Sequence, residues 1–275
     1  MTRRSLHVRW ILPVVAVAAA WVLWQNARGL HWRELQPGVE FATFAGEPYC
    51  RMGSATVAVL RIDPRMVRVR ARHYTRLPAG DPPGVLAWQK ATGALAVFNA
   101  GQFYPDRRYM GLFVSDGDTV SGRAHPGFQA ALVASGGKGP RDARVLDLAR
   151  TPLARERGWS DVAQSFMLFD DGGGVRVRRT SRVANRTAVA EDPDGHLVVV
   201  VSEGGYTLAE FAEMLMKSPL RLKHAMSMDG GLEAQMVVTS GAFRYASFGR
   251  WPRDAESTAP GAKAPLPAVI TVEAP

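Results

Sequence analysis

The run His196-Leu197-Val198-Val199-Val200-Val201 is apolar and does not alternate. A strand without a polar face must be covered on both sides, so this segment predicts a central strand with the body of the protein built around it. The run empties into Ser202-Glu203-Gly204-Gly205, which delivers a carboxylate beside two glycines. Thr207-Leu208-Ala209-Glu210 then matches a capping box, and Leu208, Phe211, Ala212 and Leu215 share one helical face, which predicts a helix to about Lys217, stopped by Ser218-Pro219. The return stretch Ala225-Met226-Ser227-Met228 ends in Asp229-Gly230-Gly231, followed by Glu233 and Gln235. Strand, helix, strand over this length reads as a crossover, in which Glu203 and Asp229 leave neighbouring strands at the same edge of a sheet. The paired glycines remove side chains that would keep a ligand away from the backbone.

Asp-Gly is also a common turn dipeptide, and the chain has three others. Asp116-Gly117, Asp171-Gly172 and Asp194-Gly195 each lie between short strand-like runs and read as hairpin turns. Only Asp229-Gly230 continues into a third small residue and then a second acid. Much of the remaining chain is short strand candidates broken by glycine and proline, which predicts a strand-rich body. Thr56 to Ile62 and Val67 to Tyr74, joined through Asp63-Pro64-Arg65, read as a hairpin, with Arg68, Arg70 and Arg72 on a solvated face. A helix is predicted over Val85 to Thr92. It leads through Ala94 to Phe98 into Asn99-Ala100-Gly101-Gln102, whose amides suit hydrogen bonding to a sugar hydroxyl or a phosphate. Arg186, in a short apolar run after a turn, offers a guanidinium fitted to bidentate recognition of phosphate or carboxylate, or to an ordinary ion pair on the sheet surface. Asp170-Asp171-Gly172-Gly173-Gly174 is glycine-rich, but no helix with a Lys-Ser/Thr start follows, so it reads as a hairpin tip and not as a phosphate loop.

With 275 residues, 47% of them hydrophobic, the chain can bury a sizeable core. Its net charge of +9 is scattered, with no basic block interleaved with aromatics and no recognisable nucleic-acid module, so nucleic acid is not expected as a partner. The charge alone also admits an interaction module for anionic surfaces. The single cysteine, Cys50, excludes an intramolecular disulfide and reads as a small structural hydrophobe. Arg3, Arg4 and Arg9 precede an apolar run from Trp10 to Trp24, short for a spanning helix of about 20 residues. Residues 1–29 are therefore expected to be a signal peptide or membrane anchor. Residues 30–275 then form one exported domain, periplasmic or extracellular, that meets the membrane through the leader.

Five segments in order resemble the phosphodiester glycosidase domain family. They are Val97-Phe98-Asn99-Ala100-Gly101-Gln102-Phe103, Gly111-Leu112-Phe113-Val114-Ser115-Asp116-Gly117, Asn185-Arg186-Thr187-Ala188, Thr207-Leu208-Ala209-Glu210-Phe211-Ala212 and Met228-Asp229-Gly230-Gly231. The resemblance implies an α+β domain with mixed, curved β-sheets and few helices. It also implies hydrolysis of the glycosidic bond of a sugar-1-phosphodiester in a cell-envelope or extracellular glycan. On that reading Asp229 and Glu203 supply the carboxylate pair that glycoside cleavage generally needs, and Arg186 holds the phosphodiester. Asn99, Gly101, Gln102, Thr187, Gly230, Gly231 and Glu233 line the substrate. The chain departs from the family where Gln102 stands in place of a frequent aromatic, and where Leu232-Glu233 follows the glycines in place of a common serine. Glu233 thus becomes a third carboxylate candidate. Asp229, Glu233 and Asp116 could together bind a divalent metal, although no metal-loop spacing supports it. The alternative function is a non-catalytic envelope protein that keeps the pocket and binds glycan or phosphate.

Overall fold

The computed structural model describes residues 30–78, 80–135, 142–153, 158–250 and 264–274. The leader lies outside them, and no helix among the described residues is long and apolar enough to cross a membrane.

Two sheets, with strands numbered in chain order, account for most of the described chain. The larger runs β1 (Arg33–Gln36), β2 (Val39–Ala45), β3 (Thr56–Ile62), β12 (Leu197–Ser202), β11 (Thr187–Glu191), β13 (His224–Ser227), β10 (Asp161–Phe169), β6 (Phe113–Ser115), β7 (Asp118–Ser121). To it β8 (Ala130–Ala134) and β9 (Ala143–Asp147) are joined through β10. The smaller runs β15 (Phe243–Ser247), β14 (Met236–Ser240), β5 (Ala96–Asn99), β16 (Ala268–Glu273), β4 (Arg68–His73). Leu60, Val199, Val201 and Met226 of the first sheet share a buried cluster with Phe98, Met236, Val238 and Ile270 of the second. Burying both inner faces in one layer is what makes the fold a single sheet-rich body.

β12 is central, as its unalternated run requires. Val199 and Val201 enter that cluster, while Val198 and Val200, on the opposite face, are equally buried. The two helices lie where the sequence places them. Helix α1 (Val85–Thr92) packs Val85 and Trp88 against Val97, Val237 and Val269 of the smaller sheet. Helix α2 (Leu208–Lys217) carries the capping box, with Thr207 and Glu210 bonding each other's backbone, and buries Phe211, Ala212 and Leu215.

Three expectations are corrected. The ladders within both sheets are antiparallel, not mixed, because β11 is interposed between β12 and β13 and pairs antiparallel with each. β3 and β4 are not a hairpin: β3 pairs with β2 and β12, whereas β4 pairs with β16 in the other sheet. The turn between them hands the chain across, with Asp63 N–H donating to Gly38 O at 2.8 Å and Asp63 Oδ1 accepting from Arg65 N–H at 3.0 Å. Nor do the arginines of β4 all form a wet face: Arg68 is exposed, but Arg70 and Arg72 are not. Arg70 is only 8% exposed and pairs with Asp161 at 3.0 Å and with Asp116, and Arg72 pairs with Asp116 and Glu273 at 2.7 Å each. Alternation placed these cations correctly on one side of the strand, but that side is an ion-pair seam to β6 and β10. Asp116 is thereby taken up by arginines and is not part of a carboxylate cluster with Asp229.

Candidate active site

β12 and β13 both run antiparallel to β11, so they are parallel to each other and their carboxyl ends emerge at the same sheet edge. At that edge β11 begins, with Arg186 immediately before it. Ser202 N–H donates to Arg186 O at 2.9 Å, Met228 N–H to Thr187 O at 2.8 Å and Gly231 N–H to Asn185 O at 2.9 Å. The backbone thus gathers the Glu203 loop, Arg186 and the Asp229 loop side by side.

The smaller sheet contributes Asn99. Its amide is 1% exposed and fully engaged. Nδ2 donates to Asp229 O at 2.9 Å and Ala100 O at 3.1 Å, and Oδ1 accepts from Thr187 Oγ1 at 2.8 Å and Gln235 N–H at 3.1 Å. Asp229 N–H donates to Ala100 O at 3.0 Å. One buried amide therefore pins both sheets to the loop that carries Asp229, and Thr187, itself fully buried, is its partner. Gln102 is half-buried. Its Nε2 donates to Met228 O at 3.3 Å and its Oε1 accepts from Ser165 Oγ at 3.0 Å. Gly101 N–H donates to the Tyr109 hydroxyl at 3.1 Å, and a Cβ at 101 would lie 2.4 Å from that oxygen, so only glycine fits.

Asp229 is half-buried, with Oδ1 accepting from Gly230 N–H at 2.8 Å. Burial pushes its carboxyl up to about 7, reinforced by the charge of Glu233 and opposed by Arg182 and Arg186. Burial raises the Glu233 carboxyl as well. The Glu233 charge therefore adds to burial in favouring the protonated form of Asp229. Arg186 is also half-buried. Its Nε donates to Tyr206 O at 3.0 Å and its Nη2 to Arg182 O at 2.9 Å, which leaves Nη1 toward Gly230. A Cβ at 230 would lie 3.3 Å from that Nη1 and 2.8 Å from Asn185 O. Burial, then the neighbouring Arg182, lowers the guanidinium to about 10. Gly231 holds φ +78, a conformation that favours glycine.

Glu203 stands apart in its contacts. Oε1 accepts from the Tyr245 hydroxyl at 3.0 Å and Oε2 from Ser54 Oγ at 3.2 Å. It lines a cavity of about 490 Å³ with Asn185, Gly204 and Arg250, in whose lining Asp229 has no part. The structure thus brings Asp229, Glu233, Arg186, Gly230, Gly231, Asn99, Gly101, Gln102 and Thr187 into one assembly and gives Glu203 its own. Sequence reading missed Arg182, whose charge acts on Asp229, Glu233 and Arg186. It also missed Asn185, whose Nδ2 donates to Ser202 O at 3.0 Å and whose Oδ1 accepts from Arg250 N–H. Asn185 carried a signal, since a polar residue two before Thr187 points to the same side of the strand. Arg182 carried none, because it lies outside any periodic element. Among the described residues, the only group of three or more potential metal ligands is Asp192, Asp194 and His196, at the β11–β12 turn.

An antiparallel two-sheet body thus carries Asp229 and Glu233 beside a half-buried arginine, and the comparisons supply the class, a glycosidase-type hydrolase. Residues 92–272, more than half the chain, match the family model for phosphodiester glycosidase, and the chain belongs to that family. Its fold is similar to the crystal structure of a hypothetical protein from Synechocystis (TM-score 0.64, 15% identity), with 90% of this chain covered and 64% of that one, so this chain spans less than two thirds of that protein. It is similar too to the zebrafish N-acetylglucosamine-1-phosphodiester alpha-N-acetylglucosaminidase catalytic domain auto-inhibited by its pro-peptide (TM-score 0.60, 18% identity, 90% and 88% covered). A third crystal structure, from Burkholderia pseudomallei, aligns at TM-score 0.51 and 14% identity over 82% of this chain and 76% of that one. None of the curated proteins matches the chain.

Proposed function

We propose that the protein hydrolyses the glycosidic bond of a sugar-1-phosphodiester in a cell-envelope or extracellular glycan, releasing free sugar and a phosphomonoester. The observation that carries this reading is the Asp229 carboxyl, held near neutrality by burial and Glu233 at the strand edge where Arg186 presents Nη1. A catalytic acid or base works best when its pKa lies near the operating pH.

The leaving group decides the role of Asp229. A phosphomonoester has a second pKa of about 6, so it departs as an anion with little need of a proton. The harder task is to bring water to the anomeric carbon, and an ionised Asp229 with pKa about 7 is suited to take that water's proton. The Glu233 charge keeps Asp229 basic enough for that task, and Arg186 Nη1 donates to the phosphodiester as charge develops on it. Glu203, its oxygens ordered by Tyr245 and Ser54, accepts a sugar hydroxyl through its remaining lone pairs. Asn99, Thr187 and Gln102 act on the site by positioning the Asp229 loop. The family places the chain among glycosidase-type hydrolases, and the apolar leader supports an envelope location. Incubating the protein with glycosyl-1-phosphodiesters and measuring free sugar tests the reading. Turnover that vanishes in Asp229→Asn supports it, and no release from any such diester refutes it.

A further inference from the structure

The loop that packs Gly101 and Gln102 against the Asp229 segment has a second side. Tyr104, Arg107, Arg108 and Tyr109 of that loop line a cleft of about 920 Å³, completed by Arg76 and Arg123. Tyr109 joins the two places. It is 2% exposed, its hydroxyl accepts from Gly101 N–H and donates to Gln164 O at 2.9 Å, and the Asp229 charge reaches that hydroxyl. The cleft therefore starts at the wall of the candidate active site.

Its charge is one-sided, since four arginines line it and, among the described residues, no carboxylate does. Arg76, Arg107 and Arg108 pair with Asp118, Asp81 and Asp106, acids between 52% and 88% exposed that do not line the cleft. Exposed pairs of this kind are worth little, so a multiply charged ligand can replace them. Arg123 is exposed and makes no ion pair among the described residues. Arg108 lies over the Tyr104 ring, its Cζ 5.4 Å from the centroid, a cation–π contact that holds the guanidinium at the cleft. Arg107 adopts φ +70, a left-handed conformation that glycine or asparagine would occupy more cheaply. An arginine kept in a turn that glycine suits is an outlier that points to use of the side chain.

We propose that this cleft is the subsite for the remainder of the substrate, an acidic oligosaccharide whose repeated phosphate or uronate charges lie along the four arginines. The proposal rests on the hydrolase reading and names the substrate class for it. A phosphodiester brings one negative charge to Arg186, and a chain that repeats such charges brings the next ones to Arg107 and Arg123.

The test uses the full chain, Arg107→Gly and Arg123→Ala. Binding of a phosphate-bearing and of a uronate-bearing oligosaccharide is measured by calorimetry, and turnover of a glycosyl-1-phosphate methyl diester is measured alongside. At least one oligosaccharide is expected to bind with a Kd that rises roughly tenfold in each variant, as for a lost charged hydrogen bond, and that weakens with salt. The arm that binds identifies the anion. Methyl diester turnover is expected to be unchanged, and Arg107→Gly is expected to melt no lower than wild type because glycine relieves the positive φ. Oligosaccharide binding that is absent or equal in all three proteins overturns the proposal, as does arginine-dependent binding to anionic phospholipid vesicles alone. Failure of the methyl diester to turn over, with oligosaccharide binding intact, counts against the hydrolase reading and leaves the cleft assignment standing.

Discussion

Asp229 and Glu203 have nearly the same local sequence, an acid followed by two glycines after a buried apolar strand, and they leave the same edge of the same sheet. Their surroundings differ because different elements pack against them. Asp229 faces a second acid with its charge poorly solvated, and its carboxyl is driven up to about 7. Glu203 is satisfied by two hydroxyl donors, Tyr245 and Ser54. The motif delivers a carboxylate to the rim, and what packs around it decides whether that carboxylate meets a second acid or a pair of hydroxyl donors.

The sharpest way to break this comparison is to remove each charge in turn. Asp229→Asn is expected to lower kcat by about 10³, the scale of a lost general base. Glu203→Gln, which keeps one acceptor, is expected to raise KM roughly tenfold with little change in kcat, as for a lost hydrogen bond to a substrate hydroxyl. Equal losses of kcat would erase the distinction. Arg186→Ala is expected to lower kcat/KM by roughly 10- to 100-fold, the worth of a charged hydrogen bond, with part of the loss in kcat because the contact strengthens as charge develops, read from initial rates against diester concentration.

The scaffold gives smaller effects. Asn99→Ala leaves Gln235 N–H and Thr187 Oγ1 without their acceptor at a buried junction, and is expected to cost about 2–3 kcal/mol in denaturant unfolding. Asp229→Asn should have the opposite sign in stability above neutrality. The folded pKa of Asp229 lies above its ordinary value, so the acid's favourable contribution is full below about 4 and is lost as pH rises through about 7. The amide removes that loss. Stability of the variant is therefore expected to match wild type at pH 4 and to exceed it by on the order of 2 kcal/mol at pH 9. Parallel curves across this range would place Asp229 in water.

The sequence made the local rules legible and left the distant ones hidden. The capping box gave α2, the unalternated run gave β12, and the crossover reading put Glu203 and Asp229 at one edge, because each depends on neighbours within a few turns. The β3–β4 hairpin failed because a proline turn specifies a reversal and not the sheet that receives each strand. The arginines of β4 were misread for a related reason: alternation shows that Arg70 and Arg72 share a side, whereas Asp116, Asp161 and Glu273, which neutralise them, are remote in the chain. At the site, the motifs of the family pointed to Asp229, Arg186 and Asn99. That Asn99 spends its amide on the scaffold, and that Arg186 spends two of its three nitrogens on backbone carbonyls, depends on the junction of two sheets.

The central claim is that Asp229 acts ionised, at a pKa set by burial and by Glu233. The most direct measurement is the pH dependence of kcat on a glycosyl-1-phosphodiester, for wild type and for Glu233→Gln. The account predicts that wild-type activity falls as pH drops through about 7, and that removing the Glu233 charge shifts this acid limb to lower pH. Activity that instead falls as pH rises through 7, or a limb that stays in place in Glu233→Gln, would contradict it.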